Sequence, residues 1–212
     1  MDRSRTAAPL PFRPRLLLTG FGPFPGAPRN PTAEVVHRLA ETGRGERLGV
    51  EIRTHVFATT WAALDDLPGL IAEVRPHLVL HLGLKRRATA IAVESCARNR
   101  ANVAAVDAEG CHPPATMLDP DGPPRLAAGL PIARMVARIA GTGSPVEWSD
   151  DAGRYLCNAL FWRSLRLAAG RPTGFLHLPP TRELAGPRGH GSTVEALTRA
   201  TAAAITAIAV AS

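Results

Sequence analysis

Three side chains in this sequence have the types that covalent acyl transfer needs, and each closes or opens a stretch that reads as a core element. They are Cys157 in "DAGRYLCNALFW", His177 in "GFLHLP" and Glu94 in "TAIAVE". A thiolate is the reactive form of cysteine, and a helix N-terminus favours it through free N–H groups and the positive end of the helix dipole. The same N–H groups can receive the negative oxygen of a tetrahedral intermediate. "DAG" before the cysteine segment lets the backbone turn tightly into that helix. An imidazole near the end of a buried strand needs a hydrogen-bond partner, which is either structural or catalytic. Taken together the three residues supply a nucleophile, a base and an orienting acid. Plainer readings stand beside these: a buried cysteine is a common core hydrophobe, and Glu94 also fits a residue that faces water.

The other candidates are weaker. His37 falls on a helix, and His112 and His190 fall in loops. His55, His77 and His81 lie in or beside strands without the spacing or carboxylates of a metal site. Cys96 and Cys111 lack the Gly–helix context of Cys157 and read as bystanders.

The elements that must position the three residues follow from periodicity. "RLLLTG", Arg15–Gly20, is a short apolar run stopped by Gly and reads as a buried strand. A Gly/Pro-rich loop, "FGPFPGAPRNP", leads into a helix over Thr32–Glu41. Strands are expected at Val50–Ala58, His77–Gly83, Ala88–Ser95, "SPVEWS" and Thr173–Pro179. Helices are expected in "WAALDDLPGLIAEVR", where Pro68 must bend or divide the run, and in "LPIARMVARIAG", with Pro131 in its first turn. Asn99–Pro124 is mostly loop. The last helix opens on a capping box, Ser192 and Glu195, with Val194, Leu197, Thr201, Ile205 and Ile208 on one face. Strands alternating with helices predict a three-layer α/β/α sandwich around a largely parallel central sheet. Ligands bind beyond the carboxyl ends of such strands. "TGFGPFPG", "GLKRRA" and "HLPPTRE" all follow strands and should converge there with Cys157 to make a pocket.

Length bounds the organisation: 212 residues suit a polar, Pro-rich leader over residues 1–14 and one domain over residues 15–212. The net charge of +7 raises a nucleic-acid or membrane partner. Lys85 is the only lysine, however, and the arginines are scattered along the chain. The densest run, Lys85–Arg87, has no interleaved aromatics on which bases could stack. A generic basic surface fits better, so neither nucleic acid nor membrane is expected. Three cysteines without C-x-x-C spacing indicate neither a disulfide framework nor structural zinc. The N-terminus lacks a signal peptide's apolar run, and no stretch reaches the roughly 18 apolar residues of a membrane span. A cytoplasmic protein is the expectation.

"LLLTGFGPF" with a following "NP", "VE" followed by "A-x-N", "AGRYLCN" and "GFLHLP" occur in that order. In this combination the chain resembles the pyroglutamyl peptidase I (pyrrolidone-carboxylate peptidase) family of cysteine peptidases, from about Arg15 to the C-terminal helix. The resemblance implies removal of an N-terminal pyroglutamyl residue from peptides without metal or organic cofactor. It assigns Cys157 as nucleophile, His177 as base and then acid, and Glu94 as the group that orients His177. It also implies an aromatic grip on the lactam ring, with Phe21 and Phe24 at ring-packing positions and Tyr155 just before the cysteine. Ordinary core packing is the plainer account of Phe21 and Phe24, and a turn or helix cap that of Asn30. The resemblance allows a monomer or a homo-oligomer.

The chain also departs from the family's pattern. Where the family has a turn resembling "QAGGR", this chain has "LKRRA", Leu84–Ala88, placing bulky cations beside the expected pocket. A family Arg further on becomes Ala104, leaving Arg86, Arg87, Arg98 and Arg100 as candidates to replace its charge. An intact triad in an altered shell leaves two readings: a peptidase with pyroglutamyl or shifted specificity, or a binding protein with a vestigial triad. "TGFGPFPG" after a strand suggests a third, a nucleotide site, but its prolines remove N–H groups that a phosphate cradle uses.

Overall fold

The computed structural model describes residues 12–41, 43–167, 170–187 and 189–209. Its strands are β1 Arg15–Phe21, β2 Glu51–Phe57, β3 Leu78–Leu84, β4 Ile91–Glu94, β5 Cys96–Arg98, β6 Arg125–Ala127, β7 Val146–Ser149 and β8 Thr173–Leu178. Its helices are α1 Pro31–Ala40, α2 Arg44–Arg47, α3 Leu67–Val74, α4 Ile132–Ala140, α5 Leu156–Leu167, α6 Arg182–Ala185 and α7 Val194–Ala209. The main sheet runs β2-β1-β3-β8-β4-β7, and β5 and β6 form a separate antiparallel pair.

β2, β1, β3 and β8 are mutually parallel; β1, β3 and β8 are buried almost throughout, as central parallel strands should be, while β2 is a half-exposed edge strand. β4 runs antiparallel to β8, and β7 runs parallel to β4. Helices α1, α4 and α7 pack their apolar sides on one face around Leu16, Leu18, Leu80 and Leu176. Helices α3 and α5 cover the other around Leu17, Val79, Phe161 and Phe175. This is the three-layer sandwich that the alternation of elements predicts.

Several details differ from the sequence expectation. The strand expected over Ala88–Ser95 shortens to β4 and is buried at every position. Glu94, for which a water-facing position was one of the readings, is buried there, because helices cover both sides of the sheet. Pro68 divides its run as expected, with a 3-10 turn over Ala62–Asp66 before α3. Pro131 is the N-cap residue of α4 and not part of its first turn. The capping box at Ser192 and Glu195 does not form. Thr193 caps α7 instead, its hydroxyl accepting from the Ala196 N–H (3.1 Å). Ser192 is used elsewhere, in a bridge to Thr181, its N–H donating to the Pro180 carbonyl and its carbonyl accepting from Arg182.

Residues 1–11 of the expected leader lie outside the described residues. Phe12 stands edge-on to His77, and the Pro14 carbonyl accepts from the Glu51 N–H. Among the described residues no helix is long and apolar enough to cross a membrane.

Candidate functional site

His177 occupies the penultimate position of β8, directly between Gly83 of β3 and Ala92 of β4. Two of the smallest residues therefore flank the imidazole, and the sheet leaves it room to stand up on the α5 face. The antiparallel run of β4 carries its last residue away from the end of β8, so Glu94 lies level with Phe175, two residues deeper than His177. Residues opposite one another in an antiparallel pair share a face. Glu94 and His177 are thus diagonal neighbours, and His177 Nδ1 donates to Glu94 Oε1 at 2.7 Å. Glu94 is 0% exposed and His177 is 5% exposed. Glu94 Oε2 has no hydrogen-bond partner among the described residues.

Cys157 is the second residue of α5 and is half-buried. The turn into the helix is made at Gly153, whose φ of 80° is left-handed, as the segment "DAG" suggested. The Tyr155 carbonyl accepts the bond from Ala159 N–H that starts the helix. The N–H groups of the first turn then have no partner within the helix. The Cys157 thiol is close enough to His177 to act on its charge, and with Nδ1 committed to Glu94 the ring has Nε2 left to face the sulfur. Burial opposes a charged imidazole, but the bonds and charges of Cys157 and Glu94 outweigh it and raise the His177 pKa to about 9.

Residues to which the sequence alone assigns no role support the site from behind. A β-carbon on Gly83 would lie 2.8 Å from Cys157 Sγ and 2.7 Å from Phe175 Cζ. Phe175 stacks against both His177 and Phe161, with ring centroids 4.8 Å and 5.7 Å away. Asn158 pins the start of α5, accepting from Arg98 N–H and donating to the Arg98 and Arg100 carbonyls. Asn99, in the "A-x-N" segment, anchors the long loop by donating to the Asp119 and Gly122 carbonyls and accepting from Asp119 N–H. Asp107 accepts from the backbone N–H groups of Trp61, Glu109 and Cys111. Trp61 in turn stands edge-on to Tyr155 at 5.6 Å. Nothing in the local sequence around Asp107 signals that partnership, because Trp61 is 46 positions away.

Cys157 opens onto a cavity of about 730 Å³ lined by Phe21, Phe24, Leu84, Tyr155, Leu156 and Pro180, among others. The three loops expected to converge do so here. Phe21 is 3% exposed and packs on Phe57, so it is both core residue and pocket wall. Thr32 holds the Phe21 backbone by accepting from its N–H and donating to its carbonyl, and Thr59 donates to the next carbonyl, Gly22. Asn30 is the N-cap of α1, accepting from Thr32 N–H, as the cap reading requires; it also donates to Gly22. Tyr155 donates to the Val106 carbonyl at 2.9 Å. Burial, with the charges of Asp107 and Cys157, pushes the Tyr155 pKa up to about 12, so the phenol stays protonated.

Of the cations that could replace the missing arginine, Arg86 and Arg87 line the cavity, with Lys85 beside them. Arg98 lies 3.7 Å from Asp151 instead, and Arg100 lines a different groove with Asn102 and Arg154. Cys96 is buried with its thiol donating to the Asp150 carbonyl, and Cys111 is exposed. Among the described residues, no three His, Cys, Asp or Glu side chains are grouped to hold a metal ion.

The family model described as pyroglutamyl peptidase matches residues 14–212. The pyrrolidone-carboxylate peptidase of Oceanobacillus iheyensis is 35% identical over 176 residues, covering 81% of this chain and 86% of that protein. The crystal structure of Bacillus amyloliquefaciens pyroglutamyl peptidase I superposes with a TM-score of 0.84 at 28% identity, covering 93% of this chain and 98% of that one. The pyrrolidone carboxyl peptidase of Thermococcus litoralis superposes equally well, TM-score 0.84 at 26% identity, covering 92% of this chain and 93% of that one.

Proposed function

This chain belongs to the pyroglutamyl peptidase family, and from that premise we propose that it removes an N-terminal pyroglutamyl residue from peptides by thiol acyl transfer. Cys157 is the nucleophile, His177 the proton carrier and Glu94 the carboxylate that orients and balances it. The observation that carries this reading is the buried 2.7 Å bond from His177 Nδ1 to Glu94, which leaves Nε2 for the thiol at the pocket floor.

The lactam lies against Phe21, Phe24 and Tyr155, an apolar and aromatic wall suited to a flat, uncharged ring. The imidazole takes the thiol proton, and Sγ attacks the pyroglutamyl carbonyl carbon. The carbonyl π pair moves onto oxygen, where the free N–H groups at the start of α5 are suited to receive the charge. The imidazolium then protonates the departing nitrogen, the C–N bond breaks, and a thioester and a shortened peptide remain. Water, deprotonated by His177, attacks the thioester. Pyroglutamate leaves and the thiol recovers its proton.

Release of aminomethylcoumarin from pyroglutamyl-aminomethylcoumarin by the wild type, and its loss in Cys157→Ala, tests the reading. A wild type that leaves this substrate intact overturns it. Faster alkylation of Cys157 by iodoacetamide than of the exposed Cys111 then distinguishes a thiol enzyme for another acyl group from a binding protein.

A further inference from the structure

Resting on the peptidase reading, we propose that Lys85, Arg86 and Arg87 form a carboxylate-selecting rim, so that the enzyme prefers peptides bearing a carboxylate on the leaving side of the scissile bond. The cavity that Cys157 opens onto is lined by these three cations and by no Asp or Glu. None of the three has a carboxylate within ion-pairing distance among the described residues. Nearby Arg29 is a contrast: Glu34 and Glu183 lie 3.4 Å and 3.7 Å from it and answer its charge.

The rim is held in place relative to the nucleophile. The Lys85 N–H donates to the carbonyl of Leu178, the residue after His177, and the Ala88 N–H donates to the Lys85 carbonyl, closing a turn with Arg86 and Arg87 at its tip. The Arg86 guanidinium reaches across to the β1–α1 loop: a β-carbon on Gly26 would lie 2.9 Å from its Nη1. The cations therefore bridge the loop that carries Phe24 and the end of the strand that carries His177.

Position decides which part of the substrate meets them. The deeper wall, with Phe21 and Leu156, is buried and apolar and takes the uncharged ring. Lys85, Arg86 and Arg87 are exposed at the mouth, where the departing chain must run. A carboxylate there comes either from an acidic side chain just after the pyroglutamyl residue or from the C-terminus of a short peptide. Exposed ion pairs are weakened by water and salt, so the expected preference is about three- to tenfold in kcat/KM.

The test compares kcat/KM for pyroglutamyl-alanine amide, pyroglutamyl-aspartate amide, pyroglutamyl-lysine amide and pyroglutamyl-alanine with a free carboxylate. Wild type and the Arg86→Gln/Arg87→Gln double variant are each assayed at low and at 0.5 M salt. The wild type should favour one or both carboxylate-bearing substrates over the alanine amide and disfavour the lysine amide. High salt should shrink that ratio, and the double variant should bring it near unity. Preference for the aspartate amide alone assigns the rim to side chains; preference for the free acid alone assigns it to chain ends. Equal turnover of all four by the wild type overturns the rim and leaves the peptidase reading intact. No turnover of any overturns both.

Discussion

Gly83 and Cys157 meet where strand β3 passes under the start of helix α5: a β-carbon on Gly83 would come within 2.8 Å of the sulfur. The same atom would press on the ring of Phe175 at 2.7 Å. Phe175 is fully buried and packed against Phe161, so it cannot retreat, and relief must come from the thiol or the backbone. Gly83→Ala is expected to cost about 1–3 kcal/mol in urea unfolding, the usual range for overpacking. It should also lower kcat/KM at least tenfold by displacing Sγ from His177. A variant with wild-type kinetics would mean that the thiol does not react from this position.

The charged His177 sets an alkaline limit. Its pKa is raised to about 9 against the pull of burial, by Cys157 first and then Glu94. In the proposed mechanism the imidazolium protonates the leaving nitrogen, so kcat/KM should fall as pH rises through about 9. Glu94→Gln should move that limb to lower pH and reduce kcat/KM about a hundredfold or more. The sign for stability is the same. A raised folded pKa gives a contribution fully present below about 6.5, the ordinary histidine value, and lost as pH rises through about 9. The pH profiles of wild type and Glu94→Gln test the kinetic shift, and a limb that stays in place would refute it.

His81 behaves oppositely. It is completely buried, its Nδ1 is paired with the Thr19 hydroxyl at 2.7 Å, and its Nε2 has no partner among the described residues. Burial pushes its pKa down to about 3, so the folded protein keeps it neutral. The unfolded chain takes up a proton below about 6.5 that the folded chain refuses. Stability must therefore fall with pH between about 6.5 and 3, at up to about 1.4 kcal/mol per pH unit. Urea midpoints from pH 6.5 to 4 should show a flatter slope in His81→Gln than in wild type, and parallel slopes would contradict this.

Asp107 acts on the pocket through others, as a positioning residue. Its carboxylate gathers the N–H groups of Trp61, Glu109 and Cys111, and Trp61 backs Tyr155, which bonds the neighbouring Val106 carbonyl. Asp107→Ala leaves those N–H groups unpaired, at an expected cost of about 1–3 kcal/mol. KM should rise several-fold with a smaller change in kcat, because the wall moves and the thiol does not. Asp107→Asn keeps an accepting oxygen and should restore part of KM. A loss confined to kcat would show that Asp107 does not act through the wall.

The sequence alone determined the layers and pointed to the three residues of the proposed chemistry. Continuous apolar runs such as "RLLLTG" and "HLVLHLG" have no polar side to show to water, so they become central strands with helices on both faces. Gly153 and the helix that begins after it placed Cys157 at a helix start because only a flexible residue accepts that left-handed turn. Pairing was beyond local patterns. Ser192 looked like a helix cap, but its backbone bridges to Thr181, and the next residue caps the helix. Glu94 could equally have faced water. Its burial follows from the antiparallel direction of β4, which turns its last residue inward beneath His177. That direction, like the closeness of Gly83 to the thiol and of Asp107 to Trp61, depends on contacts between residues far apart in the chain. Such contacts are set by how the whole sheet closes and leave no periodic trace in any one segment.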